Sequence, residues 1–187
     1  MGVVQGRDLA RQHNFARFES LADVGGGSGN MAIGACEACP ALHATVFELE
    51  SVVPITRQFI SEAQLGDRIN ARVCDLTRQA PKERFDVAVL RSLIQVLSPE
   101  QAARAIQNVG RSMRPGGEIY VIGYVLDDER DSPWEAVAYD VAFMNIYEAG
   151  RSYTEGEYRA WLAAAGFQDI HRKLLATKSS LITARKS

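Results

Sequence analysis

Short apolar runs alternate with longer amphipathic stretches along most of the chain. Leu21–Val24, Ala44–Phe47, Asn70–Cys74, Phe85–Leu90 and Glu118–Gly123 have the length and composition of buried strands. Between them, Asn30–Cys39, Val52–Leu65 and Pro99–Met113 carry helical patterns. This alternation predicts a parallel sheet with helices on both faces. Ser98 before Pro99 reads as an N-cap, because a serine side chain accepts from the first free N–H groups and proline suits the first turn. Pro115-Gly116-Gly117 reads as the stop of that helix and a turn into the next strand.

The last third has a different texture. Trp134–Tyr147 is a long, mainly apolar helical stretch. Thr154-Glu155-Gly156-Glu157 has the spacing of a capping box, opening a helix over Gly156–Ala165 that Gly166 closes. Phe167–Leu175 and Leu181–Ala184 read as two final strands joined through Lys178-Ser179-Ser180. So short a connection implies an antiparallel hairpin at the end of the sheet. The expected fold is therefore α/β: a Rossmann-like seven-stranded sheet with an antiparallel last strand and helices on both faces.

With 187 residues and a formal net charge of −2, the chain suits one domain with a sizeable core. Its basic residues are scattered, which argues against nucleic acid as a partner. No apolar run is long enough to cross a bilayer. Arg7, Asp8, Arg11, Gln12 and His13 interrupt the N-terminus, so no signal-peptide core is present. A cytoplasmic protein acting on a small molecule, away from membranes, is expected. Cys36 and Cys39 form a C-x-x-C, and Cys74 makes the count odd. Zinc would need two further ligands, and neither a second C-x-x-C nor a histidine pair exists. These cysteines read as buried packing residues, and no metal site is expected. Of the histidines, His43 and His171 read as surface residues, while His13 lies just ahead of the core.

Candidate chemistry concentrates at strand ends. Asp23-Val24-Gly25-Gly26-Gly27-Ser28-Gly29 follows the first strand, with Gly25, Gly27 and Gly29 in G-x-G-x-G spacing. In an open α/β sheet, ligands sit outside the carboxyl ends of the strands, and a loop that approaches one closely needs glycine. Taken alone, such a loop is also compatible with a plain turn. Glu48 ends the second strand, where a carboxylate can accept from ribose hydroxyls; Glu50 lies nearby. Asp75 follows the third strand, where it can accept from an adenine amino group, and Leu76 can cover a face of the ring. The competing nicotinamide-cofactor fingerprint, G-x-G-x-x-G, fails at Asn30.

Phe18 through Gly29, Val46-Phe47-Glu48-Leu49-Glu50, Arg114-Pro115-Gly116-Gly117, Gly150 through Glu157 and Ala165-Gly166-Phe167 occur in order. Together they resemble the plant caffeate/acetylserotonin-type O-methyltransferases and their bacterial small-molecule relatives, members of the class I methyltransferase fold. The resemblance runs from Phe15 onward. It implies S-adenosylmethionine as cofactor, with Asp23, Gly25, Gly26, Gly27 and Gly29 at its methionine end, Glu48 and Leu49 at the ribose, and Asp75 and Leu76 at the adenine. Arg91 matches a basic residue near the cofactor. The family's general base is a histidine, and Gln95 stands at its position; two flanking glutamates of plant members align with Gly123 and Ser152. An amide cannot take a proton near neutral pH. The activity implied is O-methylation of a small-molecule hydroxyl. The alternative is a domain that binds S-adenosylmethionine or S-adenosylhomocysteine and no longer methylates. Asn145 and Tyr153 are the substrate-contact candidates. Residues 1–17 read as a linker helix ahead of a cofactor-binding domain over 18–187. The family's N-terminal dimerisation domain is missing from the sequence, which implies a fragment or a stand-alone domain; a homodimer would form through that missing part.

Overall fold

The computed structural model describes residues 2–187. The chain runs α1 (Gly2–Gln12), β1 (Ser20–Val24), α2 (Asn30–Ala38), β2 (His43–Glu48), α3 (Val53–Glu62), β3 (Ile69–Val73), β4 (Phe85–Arg91), α4 (Pro99–Ser112), β5 (Met113–Gly123), β6 (Val125–Leu126), α5 (Trp134–Ile146), β7 (Tyr153–Thr154), α6 (Glu155–Ala164), β8 (Phe167–Leu174) and β9 (Ser180–Lys186). Seven strands form one sheet in the order β3-β2-β1-β4-β5-β9-β8. Pairs among β1 to β5 are parallel, whereas β9 runs antiparallel to both β5 and β8. The expected fold and its closing hairpin are both present.

Side chains alternate between two cores. Along β4, Val87 and Val89 join the cluster under α1, α2 and α3, while Ala88 and Leu90 join the one under α4 and α6. This period of two divides the helices between the faces of the sheet. Both expected caps form. Ser98 Oγ accepts from Gln101 N, and Thr154 Oγ1 accepts from Glu157 N, each as part of a complete capping box.

One feature differs from expectation, and two more were not foreseen in the sequence. Pro115-Gly116-Gly117 does not separate helix from strand, because β5 already begins at Met113. Residues 114–117 instead bulge opposite Asp86, with Gly116 at φ 79°. Asp86 fixes the bulge by accepting from Arg114 at 2.7 Å, and it also accepts from Ser20 N at 2.9 Å. Second, β6 and β7 form a separate two-stranded parallel ribbon. Arg172 on β8 holds that ribbon through the Val125 carbonyl and the Asp127 carboxylate, both at 2.6 Å. Third, α5 is mostly uncovered. Only Ala136 and Phe143 are fully buried, while Trp134 is 76% and Ile146 69% exposed. Among the described residues, no helix is long and apolar enough to cross a membrane.

The residues before β1 pack closely on the domain. α1 crosses α2 at backbone distance: a Cβ on Gly34 would lie 2.0 Å from the Val3 carbonyl oxygen, and one on Gly6 would lie 2.4 Å from that of Met31. The obstructing atoms are main chain, so the helices themselves would have to part. Gly34→Ala is expected to cost about 1–3 kcal/mol, the usual range for overpacking, and to lower the melting temperature. Gly66→Ala, with open space around its Cβ, should leave stability unchanged or slightly raised. Thermal denaturation of both variants, with equal losses at the two sites, would disprove the close crossing.

Candidate active site

All five parallel strands β1 to β5 end on one side of the sheet, and the candidate residues gather there. The loop after β1 turns sharply, with Gly25, Gly27 and Gly29 at φ values of 61°, 58° and 76°. These are left-handed conformations that glycine adopts without penalty. Gly26 has a different reason to be glycine. A Cβ there would sit 2.6 Å from Asp23 Cγ, so the loop lies directly over the Asp23 carboxyl. Gly27 has nothing within 4 Å of the position of its missing Cβ. Neighbouring elements hold the loop in place. Gly27 N donates to Glu48 Oε1 at 2.9 Å, and Thr56 Oγ1 on α3 donates to the Gly27 carbonyl at 2.5 Å.

A cleft of about 430 Å³ opens beside this loop. It brings together Gly25, Glu48, Leu49, Asp75 and Leu76, five of the residues singled out from the sequence. Glu48 Oε2 accepts from Leu49 N at 2.8 Å, so each carboxylate oxygen is oriented by one backbone N–H and keeps a free lone pair. Asp75 Oδ1 accepts from both Thr77 N and Thr77 Oγ1, and Oδ2 pairs with Arg78. Leu76 is anchored through its carbonyl by Asn108 of α4 at 2.8 Å. Leu93, Val96, Leu97 and Ala105 supply the opposite, apolar wall. Two oriented carboxylates and an apolar lining in one cleft suit a nucleoside. A glycine with open space above its Cα leaves room for a chain leading away from it. The cleft residues therefore fit an adenosyl cofactor.

Asp23 itself is fully buried. Its Oδ2 accepts from Ala32 N at 3.1 Å, while Oδ1 has no partner. Burial pushes its pKa up to about 7, with a further push from the Glu48 charge, against the Ala32 N–H and Arg91.

Arg91 does not line the first cleft. It lines a second cleft of about 880 Å³, between α1, the ends of β4 and β5, and the β8–β9 turn. There its Nε donates to Gln5 Oε1 at 2.6 Å. Ser92 borders both clefts and holds a left-handed backbone, φ 58°. Gln95 sits nearby, only 6% exposed. Its Oε1 accepts from Tyr124 N at 3.2 Å, and its carbonyl accepts from Arg151 N at 3.0 Å. A Cβ on Gly123 would lie 2.8 Å from Gln95 Oε1. Gln95, Gly123 and the segment leading into Ser152 thus come together. Ser152 faces inward, with Oγ donating to the Ala136 carbonyl at 3.1 Å. None of the three carries a group that takes a proton near neutral pH.

The two substrate candidates are elsewhere. Tyr153 is fully buried and its hydroxyl donates to the Leu97 carbonyl, so it braces the turn after β4 and lines neither cleft. Asn145 is exposed on α5 and returns its amide to the Val141 carbonyl at 2.6 Å. The aromatic groups beside Gln95 are Tyr124 and Tyr139, stacked at 3.7 Å and 12°. Cys36 and Cys39 are buried, and burial raises both thiol pKa values. His13 packs edge-on against Tyr120 and lines neither cleft.

A family profile described as an O-methyltransferase domain matches residues 2–168. The chain belongs to the O-methyltransferase domain family. The domain is 28% identical to acetylserotonin O-methyltransferase of Bos taurus over 183 residues, covering 98% of this chain and 52% of that protein. It is 26% identical to the tetracenomycin polyketide synthesis 8-O-methyl transferase of Streptomyces glaucescens, covering 97% and 53%. Among solved structures, human N-acetylserotonin methyltransferase in complex with SAM superposes with a TM-score of 0.84 at 26% identity, covering 98% of this chain and 52% of that one. The O-methyltransferase domain thus spans about half the length of the curated relatives it matches.

Sequence reasoning missed Thr56, Gln5, Ser92 and the apolar wall from Leu93 to Ala105. For Asp23 it anticipated the position but not the buried, half-satisfied carboxyl. Because ionisation is disfavoured in the folded chain, the unfolded chain releases its Asp23 proton first as pH rises above an ordinary 3.8. Native stability should fall from there to about pH 7 and then level off. Asp23→Asn removes this loss. Its melting temperature relative to wild type should climb between those limits and stay constant above them; a gap independent of pH would refute the assignment.

Proposed function

We propose that this domain binds S-adenosylmethionine in the cleft between Gly25 and Asp75 and supports transfer of its methyl group to a hydroxyl of a small molecule. The carrying observation is that the glycine loop, Glu48 and Asp75, from three strand ends, border one cleft of about 430 Å³. When bound, the cofactor supplies an electrophilic methyl on a sulfonium. The chain's own residues do the rest. Glu48 offers its remaining lone pairs to the ribose hydroxyls, and Asp75 with Leu76 receives the adenine. Arg91 and Ser92 flank the methionine end, where the two clefts meet. The relatives' names, two of them O-methyltransferases of acetylserotonin and of a polyketide, support oxygen as the acceptor. A cytoplasmic enzyme, and a homodimer in which further protein covers the apolar side of α5, complete this reading.

Calorimetry with S-adenosylhomocysteine tests the site directly. The folded domain should bind it. Glu48→Ala and Asp75→Ala should each weaken binding by roughly tenfold or more, as expected when a charged hydrogen-bond acceptor is removed. No binding by the folded wild type would defeat the proposal.

Gln95 stands where the resemblance places the general base, and its amide cannot take the acceptor's proton. It orders Tyr124 and the Gly150–Arg151 backbone, and it is not a base. A positioned base typically contributes ~10²–10⁴-fold, whereas alignment alone lowers barriers in well-oriented pairs. The acceptor must then react as its own anion. With a phenol of pKa near ~10, kcat/KM should rise about tenfold per pH unit up to the acceptor's pKa. A flat profile below that pKa would reveal a base among the protein's residues. A second reading rests on the same residue: with no base beside the cleft junction, the domain could bind the cofactor without methylating. Absence of S-adenosylhomocysteine production across a panel of phenols and hydroxylated polyketides would favour it.

A further inference from the structure

The Asp23 carboxyl is unlike the other carboxylates around the cleft. Every carboxylate oxygen of Glu48 and Asp75 has a partner and both residues are partly exposed, whereas Asp23 is sealed beneath Gly26 with Oδ1 unpartnered. An orphaned buried oxygen costs stability and calls for a reason. The Gly26 main chain lies directly over it, since a Cβ on that residue would already touch all three carboxyl atoms at 2.6–2.8 Å. The charged and titratable groups facing it are Glu48 from β2, Arg91 from β4 and the Cys36 thiol from α2. Behind the loop there is no bulk water to screen a charge, so a cation held above the loop interacts strongly with a carboxylate below it.

S-adenosylmethionine and S-adenosylhomocysteine differ at one place. The first carries a sulfonium, the second a neutral thioether, and their ammonium and carboxylate groups are common to both. Resting on the cofactor site proposed above, we infer that Asp23 is a specificity-determining residue that reads the charge on sulfur: the sulfonium draws it toward the ionised form, whereas the thioether leaves its protonation equilibrium as it is in the free chain. Binding of the methyl donor then releases a proton, and binding of the demethylated product does not. The donor is favoured over the product by this charge alone, with no contact to the methyl group required. Burial has already placed the Asp23 equilibrium near neutrality, so a modest field from the ligand is enough to shift it.

Calorimetry of the whole chain tests this with both ligands, at about pH 6 and about pH 8.5. Affinity for S-adenosylmethionine should rise about tenfold across that interval, since each unit of pKa displacement corresponds to a factor of ten. Affinity for S-adenosylhomocysteine should change less than about twofold. Repeating the titrations near neutrality in buffers of different ionisation heat should show proton release with the sulfonium ligand only. This readout needs no variant. In Asp23→Asn the ratio of the two affinities should no longer depend on pH. Equal pH dependence for both ligands, or a pH-dependent ratio that survives in Asp23→Asn, would overturn the inference while leaving the cofactor site intact. If the folded chain binds neither ligand, the site and the inference fall together.

Discussion

The chain folds back over a buried carboxyl at the end of β1, and much of the cleft geometry follows from that contact. Asp23 lies beneath Gly26, which can carry no side chain, and the backbone turns sharply on either side at Gly25 and Gly27. Asp23 also accepts from the first turn of α2, fixing where the helix begins relative to the strand. Glu48 and Thr56 then grip Gly27 from β2 and α3. The loop is therefore a shaped surface tied to three elements before any ligand arrives. Such preorganisation lets a ligand bind without first ordering the protein.

The sheet was largely legible because its central strands are buried on both faces and most of its helices are amphipathic. Val87, Val89, Ala88 and Leu90 have little alternative to being buried, whichever face each serves. The closing hairpin was legible from its short connection. The Pro115 turn was misplaced because its fate depends on Asp86, a residue of another strand that a local pattern does not reveal. The clustering of Gly25, Glu48 and Asp75 at one cleft was legible because glycine and carboxylates have few other reasons to end three successive strands. The cleft's apolar wall was not, since Leu93, Val96 and Leu97 look like any core residues. Tyr153 misled for the opposite reason: a tyrosine suggests a polar surface contact, and here its hydroxyl is satisfied by one buried carbonyl.

The junction of the two clefts has a different character from the part around Glu48 and Asp75. Ser92 bends through a left-handed conformation there, and Gln95 spends its oxygen on the main chain of Tyr124. Backbone strain of this kind persists only where the surroundings impose it. Ser92 N donates to the Ile122 carbonyl at 2.8 Å, while Gln95 packs against Gly123 and Gly150 close by. The Tyr124–Tyr139 stack ties this region to α5, which leaves Trp134, Met144 and Ile146 exposed.

The crossing of α1 and α2 has a mechanical side. At Gly6 and Gly34 the two helices meet main chain to main chain, with no side chains between them to flex. α2 begins at Asn30, immediately after the glycine loop, and α1 carries Gln5 to Arg91 at the second cleft. The pair behaves as one stiff lever with an arm at each cleft. A tilt imposed on α1 would shift the start of α2 beside the glycine loop and the set of Arg91 together, so anything bound against α1 bears on both clefts.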